Sequence, residues 1–92
     1  MTRIVIKQLI WDEWNKKHIK KHKVKVDEVE NAAKKVVAHK KAKKGRYLII
    51  SRVGVRILSV VINRKGLGIY YPISARDADK RERKILYEKE KI

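Results

Sequence analysis

RYLIISRVGVRILSVVINRKGLGIYYPIS, residues 46–74, decides the fold. It divides into three runs, Arg46–Val53, Val55–Asn63 and Leu67–Ser74, each rich in the β-branched and aromatic residues that suit a pleated surface. Gly54 separates the first two and Arg64-Lys65-Gly66 the others, so both junctions read as hairpin turns and the runs as an antiparallel meander. The middle run, VRILSVVIN, is apolar on both faces, which predicts a central strand covered on both sides. Pro72 cannot donate to a ladder and belongs on an edge or near a strand end.

Upstream, Arg3 to Leu9 alternate, with Ile4 and Ile6 on one side, and suit a short opening strand. Asp12 then reads as the N-cap of a helix on which Trp11, Trp14, His18, Ile19 and His22 share one stripe. Lys16, Lys17, Lys20 and Lys23 fall on its wet face. A second helix is signalled by Asp27 as N-cap with Glu30 three residues on, followed by Val29, Ala32, Ala33, Val36 and Val37 at helical spacing. HKKAKKG, His39 to Gly45, reads as a charged loop with some extended character at its start. Downstream, Ser74 with Asp77 has capping-box spacing and opens a last helix, supported by the pairs Asp77 with Arg81 and Asp79 with Arg83. Its thin stripe of Ala78, Ile85 and Leu86 lies on the sheet or against a partner. The expected order is β-α-α-β-β-β-α. This is a single α+β domain over residues 1–92, an antiparallel sheet packed against helices.

The charge is lopsided: 26 Lys plus Arg stand against 10 Asp plus Glu, for a net +16. From Asn31 to Ala75 there are 11 basic residues and no acid. Such a stretch attracts a polyanion, and nucleic acid is the commonest one. The plain alternative is a lysine surface kept for solubility or thermal stability, but stability networks interleave both signs. The segment has no basic amphipathic helix with the clean apolar face that membrane-surface binding needs. With no Cys, disulfides and thiolate metal sites are excluded. The start MTRIVIKQLIW lacks the long apolar core of a signal peptide, and no apolar run approaches spanning length, which predicts a cytoplasmic protein with no membrane partner. Ninety-two residues leave room for one core and a shallow pocket.

His18 and His22 sit four residues apart, a spacing that can clamp a metal, but Ile19 stands where a metalloprotease helix has Glu and no third ligand is near. No metal or cofactor is therefore expected. Cleaving RNA without metal requires a base for the 2′-hydroxyl, cations or donors for the phosphorane, and an acid for the leaving 5′-oxygen. Arg and Lys supply the second outright, and His, Lys or Tyr the proton transfers. The basic half has no carboxylate pair, and the chain has no Gly-rich phosphate loop and no Ser/His/Asp trio, which disfavours glycoside and nucleoside-triphosphate chemistry. Tyr47, Tyr70, Tyr71 and Tyr87 are of a type that stacks on bases, with Tyr70 and Tyr71 on opposite faces of one strand, and equally of a type ordinary in sheets.

WDEWNKKHIKKH (Trp11–His22), VDEVENA (Val26–Ala32), RYLIISR (Arg46–Arg52) and above all YYPISARDADKRERKILYE (Tyr70–Glu88) resemble the BrnT family of type II toxins, in order and over nearly the whole chain. The most specific pieces are Trp11-Asp12, Lys21-His22, and Ser74, Ala75, Arg76, Ala78, Glu82 and Arg83. The resemblance implies a RelE-like fold and a ribonuclease acting on RNA, in particular mRNA. It also implies a cognate antitoxin, often with a ribbon-helix-helix DNA-binding part, in a dimer or heterotetramer with the toxin. Carried over, it makes Lys21, His22, Arg76 and Arg83 the catalytic residues and Glu82 an orienting one. Arg46, Arg52, Arg64, Lys65 and Tyr71 become RNA-binding residues by their place in the sheet. Two positions depart from the family pattern. Lys23 stands where Gly commonly ends the first helix, and Lys25 where Ser or Thr caps the second, so that the cap is expected at Asp27. Two other readings stay open on charge alone: a non-catalytic RNA-binding module, and a protein-binding domain with an acidic partner.

Overall fold

The computed structural model describes residues 4–91. In chain order the elements are β1 (Gln8–Leu9), α1 (Glu13–Lys20), α2 (Val26–Lys34), β2 (Val36–Lys41), β3 (Arg46–Val53), β4 (Arg56–Gly66), β5 (Ile69–Asp77) and α3 (Lys80–Glu90). They build one five-stranded sheet in the order β1-β5-β4-β3-β2. Strands β2 to β5 form an antiparallel meander, and β1 joins β5 in parallel. The α+β class and the three-strand meander are as expected, with one more strand added at each meander edge than the bare meander needs.

Strand β4 lies at the centre, and it is covered on both sides. Leu58, Val60 and Ile62 join Ile19, Val24, Val29 and Ala32 in the larger core under α1 and α2, while Ile57 joins Ile50, Ala38, Ala78 and Leu86 under α3. The alternation of a strand therefore assigns faces: even-numbered β4 residues look towards α1 and α2, odd-numbered ones towards α3.

Several local readings are corrected. Val36 and Val37 do not extend the second helix; α2 stops at Lys34, and Val36–Lys41 pairs with the free edge of β3 through a bulge between Val36 and Ala38. β-branched side chains that also match helical spacing are better placed there, because β3 offers a full set of backbone partners. The α2 cap stays at Lys25 rather than moving to Asp27, and the Glu28 carboxylate accepts the Lys25 N–H at 2.9 Å. Helix α3 is capped by Asp79, not Ser74, which remains in β5; Asp79 and Glu82 form its capping box. The β4–β5 hairpin turns at Leu67–Gly68, beyond the expected Arg64–Gly66, with Gly68 at φ +76°. Of the opening strand only Gln8–Leu9 pairs, although Ile4 and Ile6 do pack on the larger core; Arg3 lies outside the described residues.

The buried face of α1 is also narrower than the expected stripe: Asn15 and Ile19 go inside, while Trp14 stays out. Asn15 is fully buried and uses nearly all its bonding capacity. Its Oδ1 accepts the Asp12 N–H at 2.9 Å, and its Nδ2 donates to Ile10 O at 2.9 Å and to Pro72 O at 3.1 Å. The last bond explains why Pro72 is tolerated on β5: β1 pairs only as far as Tyr70, so Pro72 lies on bare edge, and a helix side chain takes its carbonyl. Asn15→Ala strands both carbonyls and half of the α1 capping box, and we expect it to cost about 3 kcal/mol, read as a lowered urea midpoint.

Candidate active site

Arg76 lies near the end of β5 and pairs across the ladder with Ser59 of β4, so both side chains rise on the α3 side of the sheet. The first turn of α3 lowers Glu82 onto the same spot. The Arg76 guanidinium grips it at both oxygens, Nη1 to Oε1 at 2.7 Å and Nη2 to Oε2 at 2.9 Å. Ser59 Oγ and the Asp79 N–H also donate to Oε1, at 2.8 Å and 2.9 Å. Glu82 is only 8% exposed. Burial by itself would push its carboxyl up, but the Arg76 guanidinium, the Asp79 N–H and the Ser59 hydroxyl overcome that and hold it at about 2. Arg76 is correspondingly fixed as a cation, by Glu82 above all. It remains half-exposed, and its Nε and one Nη2 hydrogen have no partner among the described residues. Arg83, one residue further along α3, is exposed and donates from Nη1 to Ala78 O at 3.4 Å.

Lys21 and His22 sit in the tight corner between α1 and α2, both exposed. The corner is a Schellman motif: Val24 N–H returns to Ile19 O at 3.2 Å and Lys23 N–H to Lys20 O at 2.9 Å, with Lys23 at φ +57°. Lys23 thus holds the left-handed conformation that a Gly there would adopt without strain. Arg56, at the start of β4, locks the corner to the sheet. Its Nη1 donates to Lys23 O at 3.0 Å and to the Glu28 carboxylate at 2.9 Å, and its Nε donates to Asp77 at 3.0 Å. Asp77 directly follows Arg76. Both expected catalytic groups therefore stand at the same end of the sheet but on opposite faces, Arg76 on the α3 side and the corner on the α1–α2 side; no hydrogen bond joins them among the described residues.

The expected RNA-binding residues do not form one patch. Arg46, Lys65 and Tyr71 gather at the opposite end of the α3 face, where Arg46 pairs across from Asn63, Asn63 pairs with Tyr71, and Lys65 Nζ stands 5.9 Å from the Tyr71 ring centre. The Tyr71 hydroxyl donates to Asp12, at 2.8 Å and 3.0 Å, and burial followed by that carboxylate pushes the phenol up. Arg52 is engaged by Glu90 through two bonds and covers the Tyr87 ring. Arg64 faces the other way, beside Tyr47 and Tyr70 in a cleft of about 500 Å³. Ser59, Arg56 and Glu28 escaped the sequence reading, and Asp77 entered it only as part of the last helix, not as the partner of Arg56 that it is. Ser59 is a lone hydroxyl inside an apolar run, which is a weak signal; Arg56 is one cation among 11 in its segment and carries none.

No family model and no curated protein matches the chain. Among solved structures it is similar to a crystal structure of the Brucella abortus ribonuclease toxin BrnT, with a TM-score of 0.65 and 24% identity over 79% of this chain and 97% of that one. The chain has the fold of BrnT. On this BrnT-like sheet, β5 and α3 carry Arg76, Glu82 and Arg83, and the α1–α2 corner carries Lys21 and His22. Among the described residues no group of His, Asp and Glu has a metal-holding arrangement, and no helix is long and apolar enough to cross a membrane.

Two stability predictions follow from these geometries. Glu82→Gln is expected to cost roughly 2 kcal/mol at pH 7 after allowance for the exposure of Arg76. Because the folded carboxyl lies below its ordinary value of 4.5, its contribution is fully present above that pH and lost as pH falls towards about 2. Chemical unfolding of both proteins between pH 7 and 3 should show the gap closing on acidification. Lys23→Gly should raise stability by about 1 kcal/mol through relief of the left-handed backbone, measured the same way at pH 7.

Proposed function

We propose that the chain is a metal-independent ribonuclease toxin of a type II toxin-antitoxin module. The observation that carries this reading is Arg76. Its guanidinium is set bidentately by a buried carboxylate that two further donors fix, yet it keeps free donors on a strongly cationic protein. The Arg52–Glu90 pair leaves its cation equally accessible but rests on an exposed carboxylate, whereas the partner of Arg76 is buried and itself held by Ser59 and the Asp79 N–H. A guanidinium whose orientation is settled before ligand arrives suits the bidentate grip on a phosphate, and its charge is available as the phosphorane forms.

The reaction is attack of the ribose 2′-oxygen on the neighbouring phosphorus, with expulsion of the 5′-oxygen and a 2′,3′-cyclic phosphate as product. Arg76 and Arg83 hold the phosphate and spread its developing charge. His22 and Lys21 serve the two proton transfers, from the 2′-hydroxyl and to the leaving oxygen. Glu82 orients Arg76 and takes no proton. Arg46, Lys65 and Tyr71 at the far end of the same face extend contact along the strand, and Arg52 and Arg64 lend long-range attraction. The likeness to a protein described as a ribonuclease toxin supports the same reading. As such a toxin the protein would act in the cytoplasm, on mRNA, and be neutralised by an acidic-faced antitoxin bearing a ribbon-helix-helix part, in a dimer or heterotetramer.

Incubation of the full chain with RNA in excess EDTA tests this. The wild type is expected to release cyclic-phosphate ends at an undiminished rate. Arg76→Ala should lower the rate about 10²- to 10³-fold, and His22→Gln or Lys21→Ala about 10²-fold or more. Cleavage abolished by EDTA would overturn the metal-free mechanism. Binding without any product would make the protein a non-catalytic RNA-binding module.

A further inference from the structure

Trp14 is 54% exposed. The other tryptophan, Trp11, is half-buried and donates from Nε1 to Glu30 at 2.7 Å, so it has a structural place. Trp14 has none in the core, since Asn15 and Ile19 supply the buried face of α1. The indole is instead stacked on the imidazole of His18, one turn along, with ring centres 4.8 Å apart and planes within 10° of parallel. The two rings form a pre-aligned flat tier. Helical geometry puts Lys17 and Lys21, three and seven residues after Trp14, on the same stripe, and both are exposed. No acid occupies that stripe, and it ends at the corner that carries Lys21 and His22.

We propose that Trp14 and His18 form a stacking platform for one base of a single-stranded RNA, with Lys17 and Lys21 neutralising the phosphates beside it, so that α1 leads the strand to the Lys21–His22 corner. The inference rests on the ribonuclease reading and adds a subsite to it. A flat aromatic tier flanked by cations fits a base and its phosphates, and stacking is open only to unpaired bases. A protein partner would call for a wider apolar patch. The other large exposed apolar side chains, Val5, Val55, Leu67 and Tyr87, lie on other parts of the fold and do not extend this one.

The test uses the full chain and a 2′-O-methylated nonamer, which cannot be cleaved, beside an abasic nonamer with the same phosphates. Base-bearing nonamer should quench tryptophan emission, and the abasic one should bind with far less quenching. Trp14→Leu should weaken the base-bearing nonamer roughly 5- to 100-fold and leave the abasic one and the salt slope unchanged, while Trp14→Phe keeps most of the affinity. Circular dichroism checks that each variant is folded, and Trp14→Phe decides the matter if Trp14→Leu is not. Equal affinity of wild type and Trp14→Leu for the base-bearing nonamer overturns the proposal, as does such equality accompanied by lost binding of an acidic protein partner. RNA cleavage with no effect of Trp14 removes the platform alone; base-dependent quenching without cleavage removes the nuclease reading alone.

Discussion

A long central strand that is apolar on both faces cannot leave either face in water, and most of this molecule follows from β4 having to be covered twice. Helices α1 and α2 close one side with Ile19, Val24, Val29 and Ala32 over Leu58, Val60 and Ile62. Helix α3 closes the other with Leu86 and Ala78 beside Ile57 and Ile50. The chain leaves β5 at Asp77 and enters α3 at Lys80, so the covering helix must begin directly beside the end of β5. This brings the first turn of α3, with Glu82, over Ser59 and Arg76. The hydrophobic requirement of one strand thereby sets the position of the polar triad.

Acids are scarce in this chain, and several of them sit at joints. Glu28 and Asp77 both hold Arg56, Glu82 holds Arg76, Glu90 holds Arg52, Glu30 accepts from Trp11, and Asp12 caps α1 while it accepts from Tyr71. Each ties elements that are distant in sequence, or ends a helix where the dipole favours negative charge. With the carboxylates committed in this way, the excess of lysine and arginine is left to face solvent, and the protein keeps a strongly positive field. Polyanion attraction and structural economy are thus two sides of one allocation of charge.

Much was legible in the chain. Strands β3, β4 and β5 carry a strong β signal with Gly54 between the first two, and their pairing follows from local turns. The cap at Asp12 and the Arg76–Arg83 stretch could likewise be recognised, as could the left-handed demand at Lys23, from the residue type that usually stands there. Val36 and Val37 were ambiguous because their spacing suits a helix and their branching a strand. Only the open edge of β3 decides between the two. Ser74 and Asp79 are both good caps, and the pairing of β5 with β4 through Asp77 keeps the first from being used.

By itself the sequence determined the class of the fold, the antiparallel meander and the sign of the field, since each depends on neighbours in the chain or on summed composition. Which cations do what was decided in three dimensions. Arg56 and Arg76 look alike as residues, yet register places one beside Glu28, Asp77 and the Lys23 carbonyl and the other beside Glu82, with free donors. Trp14 and Ile19 both suited the inward stripe of α1, and packing on β5 took Asn15 and Ile19 and left Trp14 outside against His18. Partners of this kind are separated by tens of residues, and no local pattern encodes a contact that exists only once the sheet has formed.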